Sequence, residues 1–579
     1  MRHASLLFLV CFTMAVGSLA QTFTKLADFD GTNGSDPTAS LVQAIDGNFY
    51  GTTSGGGSNN NCTGGCGTVF KITPEGTLTT LYSFCPQNGC ADGAGPAAGL
   101  VQGADGDLYG TTEEGGANDY GTVFKITLQG MPTTIYSFCS QDGCADGGLP
   151  AAGLVQGTDG NLYGTTAGGG AAGYGTVFKI TAEGSLTTLY SFDRMDGFDS
   201  FSALVQGADG NFYGTTYAGG ANNKGTVFKM TPQGALTTLY AFCPQPGCTD
   251  GSSPSAGVVQ GTDGNFYGTT QGGGADREGT VYKVTPQGTL TTLHYFVVTD
   301  GAFPDAGLVQ GTDGNFYGTT AGGGANGGGT VFEITPEGTL TTLHSFTFEG
   351  AEGSGPVGGV VLGTDGNFFG TTALGGTSNN CSGGCGTVFR LDTGLFDALS
   401  VAKNGNGIVA GNDGHIYCGF VCAYPYPKGI QVTLSSVPSP GYTFSGWTGC
   451  DNVNGYYCSV TMNSAKNVTA AFDVANITLT SLTFKPTYVQ GGQLSAGTLT
   501  LNAAAPPGGV SVALSSDNPD VAHVPSFVFV PGGKSSMQFA VYTLPVKSNT
   551  TVTITATAGS SHVSGALMVG TSLFPPSLR

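Results

Sequence analysis

The stretch Asp46-Gly47-Asn48-Phe49-Tyr50-Gly51-Thr52-Thr53 returns six more times along the chain, beginning at Asp105, Asp159, Asp209, Asp263, Asp313 and Asp365. Successive copies start 59, 54, 50, 54, 50 and 52 residues apart. Around each copy lie four short β-prone runs, which in the third unit are Gly153 to Gly157, Asn161 to Thr166, Gly175 to Thr181 and Ser185 to Phe192. Asp159-Gly160 between the first two runs is a two-residue hairpin signal, because both positions tolerate positive φ. Four antiparallel strands every ~50 residues is the sequence pattern of propeller blades.

The ends of this repeat array carry a second signal. The seventh unit has its third run, Gly386 to Leu391, and then passes into Asp392-Thr393-Gly394 without a fourth. A copy of the missing strand stands at the other end, Thr22-Phe23-Thr24-Lys25-Leu26-Ala27-Asp28-Phe29. The expected fold is therefore all-β, a seven-bladed propeller over 21–394 closed by the N-terminal strand, since closure removes free sheet edges.

Spacing also points to a working face. From an acidic residue or Asn to the hairpin Asp is always 13 residues: Asn33, Asp92, Asp146, Asp196, Asp250, Asp300 and Glu352. Length varies only after the fourth strand and between the second and third. Those two connections lie at one end of an antiparallel blade, and insertions confined to one face mark the binding face of a repeat protein. Non-repeated groups in these loops, Glu113, Glu114, Tyr120, Tyr174, Tyr217, Lys224 and Arg277, are the expected ligand contacts. The hairpin Asp residues are expected to serve turn geometry. The second acidic set, Asp92, Asp146, Asp196, Asp250, Asp300 and Glu352, has turn chemistry as its first explanation and Ca²⁺ ligation as its alternative. His294 and His344 stand where other units have Tyr, which suggests packing. Lys71, Lys125, Lys179, Lys229 and Lys283 share a position with Glu333 and Arg390, a mixture that argues against a common anion site.

Composition bounds the function. Of 579 residues 101 are Gly, 39% are hydrophobic and 10% charged, with a net charge of −20. Long solvated helices are excluded, and a phosphate backbone would be repelled, so nucleic acid is not an expected partner. Arg2 and His3, the apolar run Leu6 to Val16 and Ser18-Leu19-Ala20 have the layout of a secretory signal over 1–20. No later segment approaches spanning length, so the mature chain is expected to carry no transmembrane anchor. Without Cys11, 14 cysteines remain in seven close pairs. These are Cys62 with Cys66, Cys85 with Cys90, Cys139 with Cys144, Cys243 with Cys248, Cys381 with Cys385, Cys418 with Cys422 and Cys450 with Cys458. Export makes local disulfides the expected state. A tetrathiolate zinc site joining Cys62 and Cys66 to Cys381 and Cys385 is the alternative, should the first and seventh blades meet.

The repeat stops at Leu395. Residues 395–475 form a small β module with two cysteine pairs and Trp447, expected in its core. Residues 476–579 alternate apolar residues with Ser and Thr in about seven runs, the pattern of an immunoglobulin-like sandwich.

The unit from Gly-Leu-Val-Gln-Gly through Gly-Thr-Val-Phe-Lys-Ile-Thr to Leu-Thr-Thr-Leu-Tyr-Ser-Phe closely resembles the GloVer tandem repeat of exported bacterial proteins, over about 22–394. The resemblance implies a secreted or surface setting in a bacterium and transfers no catalytic residues. Choice-of-anchor proteins of this kind often end in a sorting anchor, which Phe574-Pro575-Pro576-Ser577-Leu578-Arg579 does not resemble. Residues 395–475, with Phe444-Ser445-Gly446-Trp447 and Met462 to Ala470, resemble a divergent internalin-type B repeat. The last domain is similar to bacterial Ig-like modules, and the blades are similar to NHL-type propellers, which serve as binding platforms and sometimes as lactonases or lyases. No Gly-x-Ser-x-Gly, His-Glu-x-x-His or phosphate-binding loop occurs. The leading expectation is non-catalytic binding or adhesion to an extracellular glycan or surface protein, with no cofactor. A propeller-type polysaccharide hydrolase or lyase is the second reading and a structural surface component the third.

Overall fold

The computed structural model describes residues 21–59, 61–439, 441–506 and 508–571; the expected signal at 1–20 and the closing stretch Phe574 to Arg579 lie outside them. The chain divides into two compact units, Met1–Phe396 and Asp397–Arg579.

The first unit contains seven four-stranded antiparallel sheets among its described residues, with propeller-blade order. In the third repeat the strands are Val155–Gln156, Leu162–Thr166, Thr176–Ile180 and Leu186–Ser191. Each Asp-Gly turn is fixed by its own side chain: Asp46 Oδ1 accepts the Asn48 N–H at 3.1 Å and Gly47 takes φ +81°. Asp46 Oδ2 accepts the Tyr50 hydroxyl at 2.8 Å. Five later repeats place a Tyr in the same bond, and Phe369 replaces it in the seventh. The second strand is buried along its whole length, Phe49–Thr53 for example. Gly51 must be glycine, because an added Cβ would lie 2.6 Å from the Phe70 ring and 2.8 Å from Leu41. Third-strand aromatics such as Phe70, Phe178 and Phe228 are fully buried between sheets, where truncation to Ala costs about 3–5 kcal/mol.

The first strand is shorter than the sequence suggests. Only two residues pair in the sheet, Val155–Gln156 in place of Gly153 to Gly157. Just before it, the carbonyl of Ala152 accepts the Thr111 hydroxyl of the preceding repeat at 3.0 Å. The same bond recurs from Thr52 to Ala98, Thr215 to Ala256, Thr269 to Ala306 and Thr319 to Gly358.

The two ends of the array meet. Thr22–Asp28 pairs antiparallel with Thr387–Asp392, Thr22 opposite Asp392 and Asp28 opposite Thr387, and completes the seventh sheet. Between the seventh and first repeats, the Thr371 hydroxyl donates to the Pro37 carbonyl at 3.0 Å and the Thr364 N–H to Gln43 Oε1 at 2.9 Å. Phe49 and Phe369 stack with ring centroids 4.0 Å apart.

In the second unit, residues 397–475 build a mixed sheet and a five-stranded antiparallel sheet. In the former, Phe396–Asn404 runs parallel to Lys466–Val474. Trp447 belongs to the core between them, with Leu434, Val460 and Phe472. Residues 476–571 form a two-sheet sandwich over a second core centred on Leu499, Val512, Val541 and Ile554.

All seven expected cysteine pairs lie at disulfide distance. In the first unit Cys62 pairs with Cys66, Cys85 with Cys90, Cys139 with Cys144, Cys243 with Cys248, and Cys381 with Cys385. In the second unit Cys418 pairs with Cys422 and Cys450 with Cys458. Cα separations run from 4.0 Å at Cys139 and Cys144 to 5.6 Å at Cys450 and Cys458. Cys418 and Cys458 are buried in the core around Trp447, with Cys422 and Cys450 packed against it, so these two pairs are core members as well as loop staples.

Candidate functional site

The loop entering each repeat and the loop after its second strand are tied together by a backbone bridge: Ser35 with Gly55, Ala94 with Glu114, Gly148 with Gly168, Phe198 with Ala218, Ser252 with Gly272, Ala302 with Gly322, and Ser354 with Leu374. The two variable connections therefore share one end of every sheet. One residue past each bridge the backbone enters the left-handed region at Asp36, Gly95, Leu149, Asp199, Ser253, Phe303 and Gly355, with φ between +53° and +63°. This kink feeds the chain into a cavity of about 450 Å³ lined by all seven repeats.

The lining is layered by repeat position. Most layers are small or aliphatic: Ala39, Ala98, Ser202, Ala256, Ala306 and Gly358, then Ser40, Gly99, Gly153, Ala203, Gly257, Gly307 and Gly359, then Leu or Val. The position nearest the kink in sequence is mixed: Thr38, Ala97, Ala151, Phe201, Ser255, Asp305 and Val357. A second mixed position, Ser54, Glu113, Ala167, Tyr217, Gln271, Ala321 and Ala373, follows the Gly-Thr-Thr strand. It is bonded to the kink residue; the Tyr217 N–H donates to the Asp199 carbonyl at 3.0 Å and the Gln271 N–H to Ser253 at 3.1 Å.

Bulk and polarity collect in three consecutive repeats, the fourth to sixth. Phe201 and Tyr217 are in edge-on contact, centroids 5.9 Å apart. The Tyr217 hydroxyl donates to Gln271 Oε1 at 2.9 Å, and the Ser255 hydroxyl lies 3.2 Å from the Asp305 carbonyl and 3.3 Å from its Oδ1. Phe201 and Phe303 remain 41% and 45% exposed, which leaves ring surface open to a ligand. The arc thus presents aromatic faces beside hydrogen-bonding groups.

Electrostatics set several carboxyls near the cavity apart from the hairpin aspartates. Burial pushes the Asp305 carboxyl up, against hydrogen bonds from Gln271 and Ser255 that lower it. Burial likewise raises Asp36 and Asp199, and Glu113 through burial and the neighbouring Glu114. The hairpin carboxylates behave oppositely. Burial would raise Asp46, Asp105, Asp159, Asp209 and Asp263, yet hydrogen bonds from Asn, Tyr, Lys or backbone donors outweigh it and hold them low. Carboxyls shifted up by desolvation in a concave site are a functional-site signature.

Of the expected contacts, Tyr217 and Glu113 occupy the second mixed position beside the mouth. Tyr120, Tyr174 and Lys224 sit at the end of their loop against the next repeat; the Leu149 N–H donates to Tyr120 at 2.8 Å, the Ser253 N–H to Lys224 at 2.8 Å, and the Tyr174 ring contacts Phe198. Glu114 and Arg277 are exposed. Gln271 shares the variable-loop column of Glu113 and Tyr217; Phe201, Ser255 and Asp305 escape sequence reasoning based on loop length, because they stand in segments of constant length. A column-by-column comparison of the repeats would expose them as the mixed positions beside a recurring Pro.

The second acidic set lies one residue per repeat. Asp92, Asp146, Asp196 and Asp250 each accept a Tyr hydroxyl from the strand before them, from Tyr82, Tyr136, Tyr190 and Tyr240. His294 Nε2 stands 3.1 Å from Asp300, and His344 Nε2 stands 3.5 Å from Glu352. Each of these carboxylates also accepts a backbone N–H at the start of its loop, from Cys85, Ser140, Asp193, Cys243, Val297 or Thr347. Their geometry is that of turn supports. Among the described residues the group with metal-ligand spacing is Cys62, Cys66, Cys85 and Cys90, all within the first repeat and the loop that leaves it. Cys381 and Cys385, which the zinc alternative joined to Cys62 and Cys66, take no part in it; Cys90 Sγ stands 4.0 Å from Cys62 Sγ instead.

A model of the Gloeobacter/Verrucomicrobia repeat matches residues 12–146, 63–249 and 244–418, and one of a divergent InlB B-repeat domain matches 402–476. No curated protein matches the chain. Similar solved structures include an ulvan lyase of a polysaccharide lyase family, at 10% identity over 64% of this chain and 95% of that one, TM-score 0.37. A luciferin-regenerating enzyme aligns at 10% identity over 64% and 95%, TM-score 0.34. An auxiliary nutrient binding protein from Bacteroides thetaiotaomicron aligns at 14% identity over 52% and 73%, TM-score 0.34. No helix among the described residues is long and apolar enough to cross a membrane.

Proposed function

This chain belongs to the Gloeobacter/Verrucomicrobia repeat family, and from that premise we propose that it is an exported, non-catalytic binding protein whose seven sheets close into a ring and whose rim recognises an extracellular glycan. The observation that carries the reading is the distribution of mixed positions. Variation between repeats concentrates around one cavity mouth, where Phe201, Tyr217, Gln271, Ser255 and Asp305 fall in three adjacent repeats and Thr38, Ser54 and Glu113 in the first two. Sugar rings offer apolar C–H faces and a perimeter of hydroxyls, which suits exposed aromatic rings beside paired donors and acceptors. Small and aliphatic residues, with the hydroxyls of Thr38, Ser40 and Ser202, line the rest of the cavity, which supports holding a ligand over breaking one. Seven cysteine pairs at bonding distance support an oxidising destination. The bonds from Thr371 to Pro37 and from Thr364 to Gln43 support ring closure.

A glycan array probed with the full chain tests the reading, followed by titration calorimetry on the best ligand. Phe201→Ala and Tyr217→Ala are each expected to weaken binding by about tenfold or more, the loss of an aromatic anchor of ~1.5–2 kcal/mol. Lys283→Ala, in the hairpin end of the fifth sheet, is expected to leave it unchanged. Binding indifferent to both aromatic substitutions would overturn the assignment of the rim.

A further inference from the structure

We propose that Cys62, Cys66, Cys85 and Cys90 form a redox-gated zinc site, closed as two disulfides when oxidised and open to Zn²⁺ as four thiolates when reduced. The four Sγ atoms lie within 4.8 Å of one another, and Cys62 Sγ stands 4.0 Å from Cys90 Sγ although the two belong to different pairs. A tetrahedral zinc–thiolate centre has Zn–S of about 2.3 Å, hence S···S edges of about 3.8 Å. Opening the two disulfides lengthens two of the six edges, and the other four need to contract by no more than about an ångström to match that geometry. Cys66 and Cys85 are buried and Cys62 and Cys90 half-buried, so the site is shielded yet reachable. The loops are held independently of the sulfurs: the Asn61 side chain donates to the Cys85 carbonyl at 2.8 Å, Asn59 to Ser83 and Phe84 at 2.9 Å, and Asp92 accepts the Cys85 N–H at 3.0 Å.

Among the described residues the constellation occurs once, because it needs cysteine pairs in both variable loops of one repeat. Cys139 with Cys144, and Cys243 with Cys248, follow repeats whose other loop, 113–120 or 217–224, has no cysteine. In the seventh repeat the situation is reversed. Gly31 stands beside Cys381 and Cys385, its missing Cβ 3.7 Å from Cys381 Sγ, where the first repeat places a second pair. The conversion balances with a dithiol as reductant. Two dithiols deliver four electrons and four protons, becoming two disulfides, and the four protein thiols then release four protons to solvent as the Zn–S bonds form.

The test uses the full chain, reduced anaerobically with a dithiol in the presence of Co²⁺ as a spectroscopic probe. The expected result is one Co²⁺ per chain with tetrahedral ligand-field and thiolate charge-transfer bands, displaced by Zn²⁺. The signal should vanish in the double variant Cys62→Ser with Cys66→Ser, and in the double variant Cys85→Ser with Cys90→Ser. It should persist in the double variant Cys139→Ser with Cys144→Ser. Circular dichroism before and after reduction reports whether each variant is folded. A folded reduced wild type without these bands, bands that survive the loss of Cys85 and Cys90, or a reduced chain that unfolds despite Zn²⁺ would each overturn the proposal.

Discussion

Asp209 and Asp305 are both aspartates in the same kind of repeat, and their surroundings push them in opposite directions. At Asp209 burial is outweighed by hydrogen bonds from Lys229, Asn211 and Tyr213, so the folded pKa is depressed. Its stabilisation is present above the unfolded carboxylate pKa and disappears as pH falls through the folded value. At Asp305 burial dominates and the folded pKa is raised, so its contribution favours folding at low pH and is lost as pH rises. Asp209→Asn should therefore lower the denaturant midpoint at pH 7, with the deficit shrinking on acidification. Asp305→Asn should raise the midpoint at pH 7, with the gain shrinking as pH falls through the raised folded value and gone below about pH 4, where the unfolded carboxylate is protonated too. Parallel urea titrations of the two variants at both pH values check the crossed signs. The Asp209 turn is legible in the sequence, because Asp-Gly chemistry is local. Asp305 is not, because its role depends on Ser255 and Gln271 from another repeat.

At the scale of elements, repeat number and strand order are readable because each turn and each β run is specified within a few residues. The Thr hydroxyls that reach the segment before each short first strand are not, since they arrive from the neighbouring sheet. The pairing of the N-terminal strand is legible only from the mismatch between the two ends of the array, and the structure pairs the same segments. Cysteine pairing is legible from proximity alone, down to Cys418 with Cys422 and Cys450 with Cys458; the approach of Cys62 to Cys90 is not, because it needs two loops brought together by the strands between them. Removing Thr22–Asp28 should leave the edge of Thr387–Asp392 unpaired and uncover Phe389 and Phe346, which Phe23 now packs against. The expected outcome is a melting temperature lower by several degrees and concentration-dependent aggregation in light scattering. An unchanged monomer would show that this strand contributes little to the sheet.

For the molecule as a whole, among the described residues each buried hydrophobic cluster and each disulfide lies within one unit, two of the clusters in the second. Residues 21–396 and 397–579, produced apart, should each fold and show its own cooperative calorimetric transition. The sum of the two should match the full chain within the error of the measurement. A fragment that stays unfolded alone would mean that its stability depends on the other unit.

The pairing of Thr22–Asp28 with Thr387–Asp392 sets a clock on biogenesis. Within the first unit the strand earliest in the chain is the last to find its partner, and at about 5–20 residues per second the intervening stretch takes on the order of 20–70 s to be made. For that interval the seventh sheet does not exist, and the head of the chain must be kept from docking on the wrong edge.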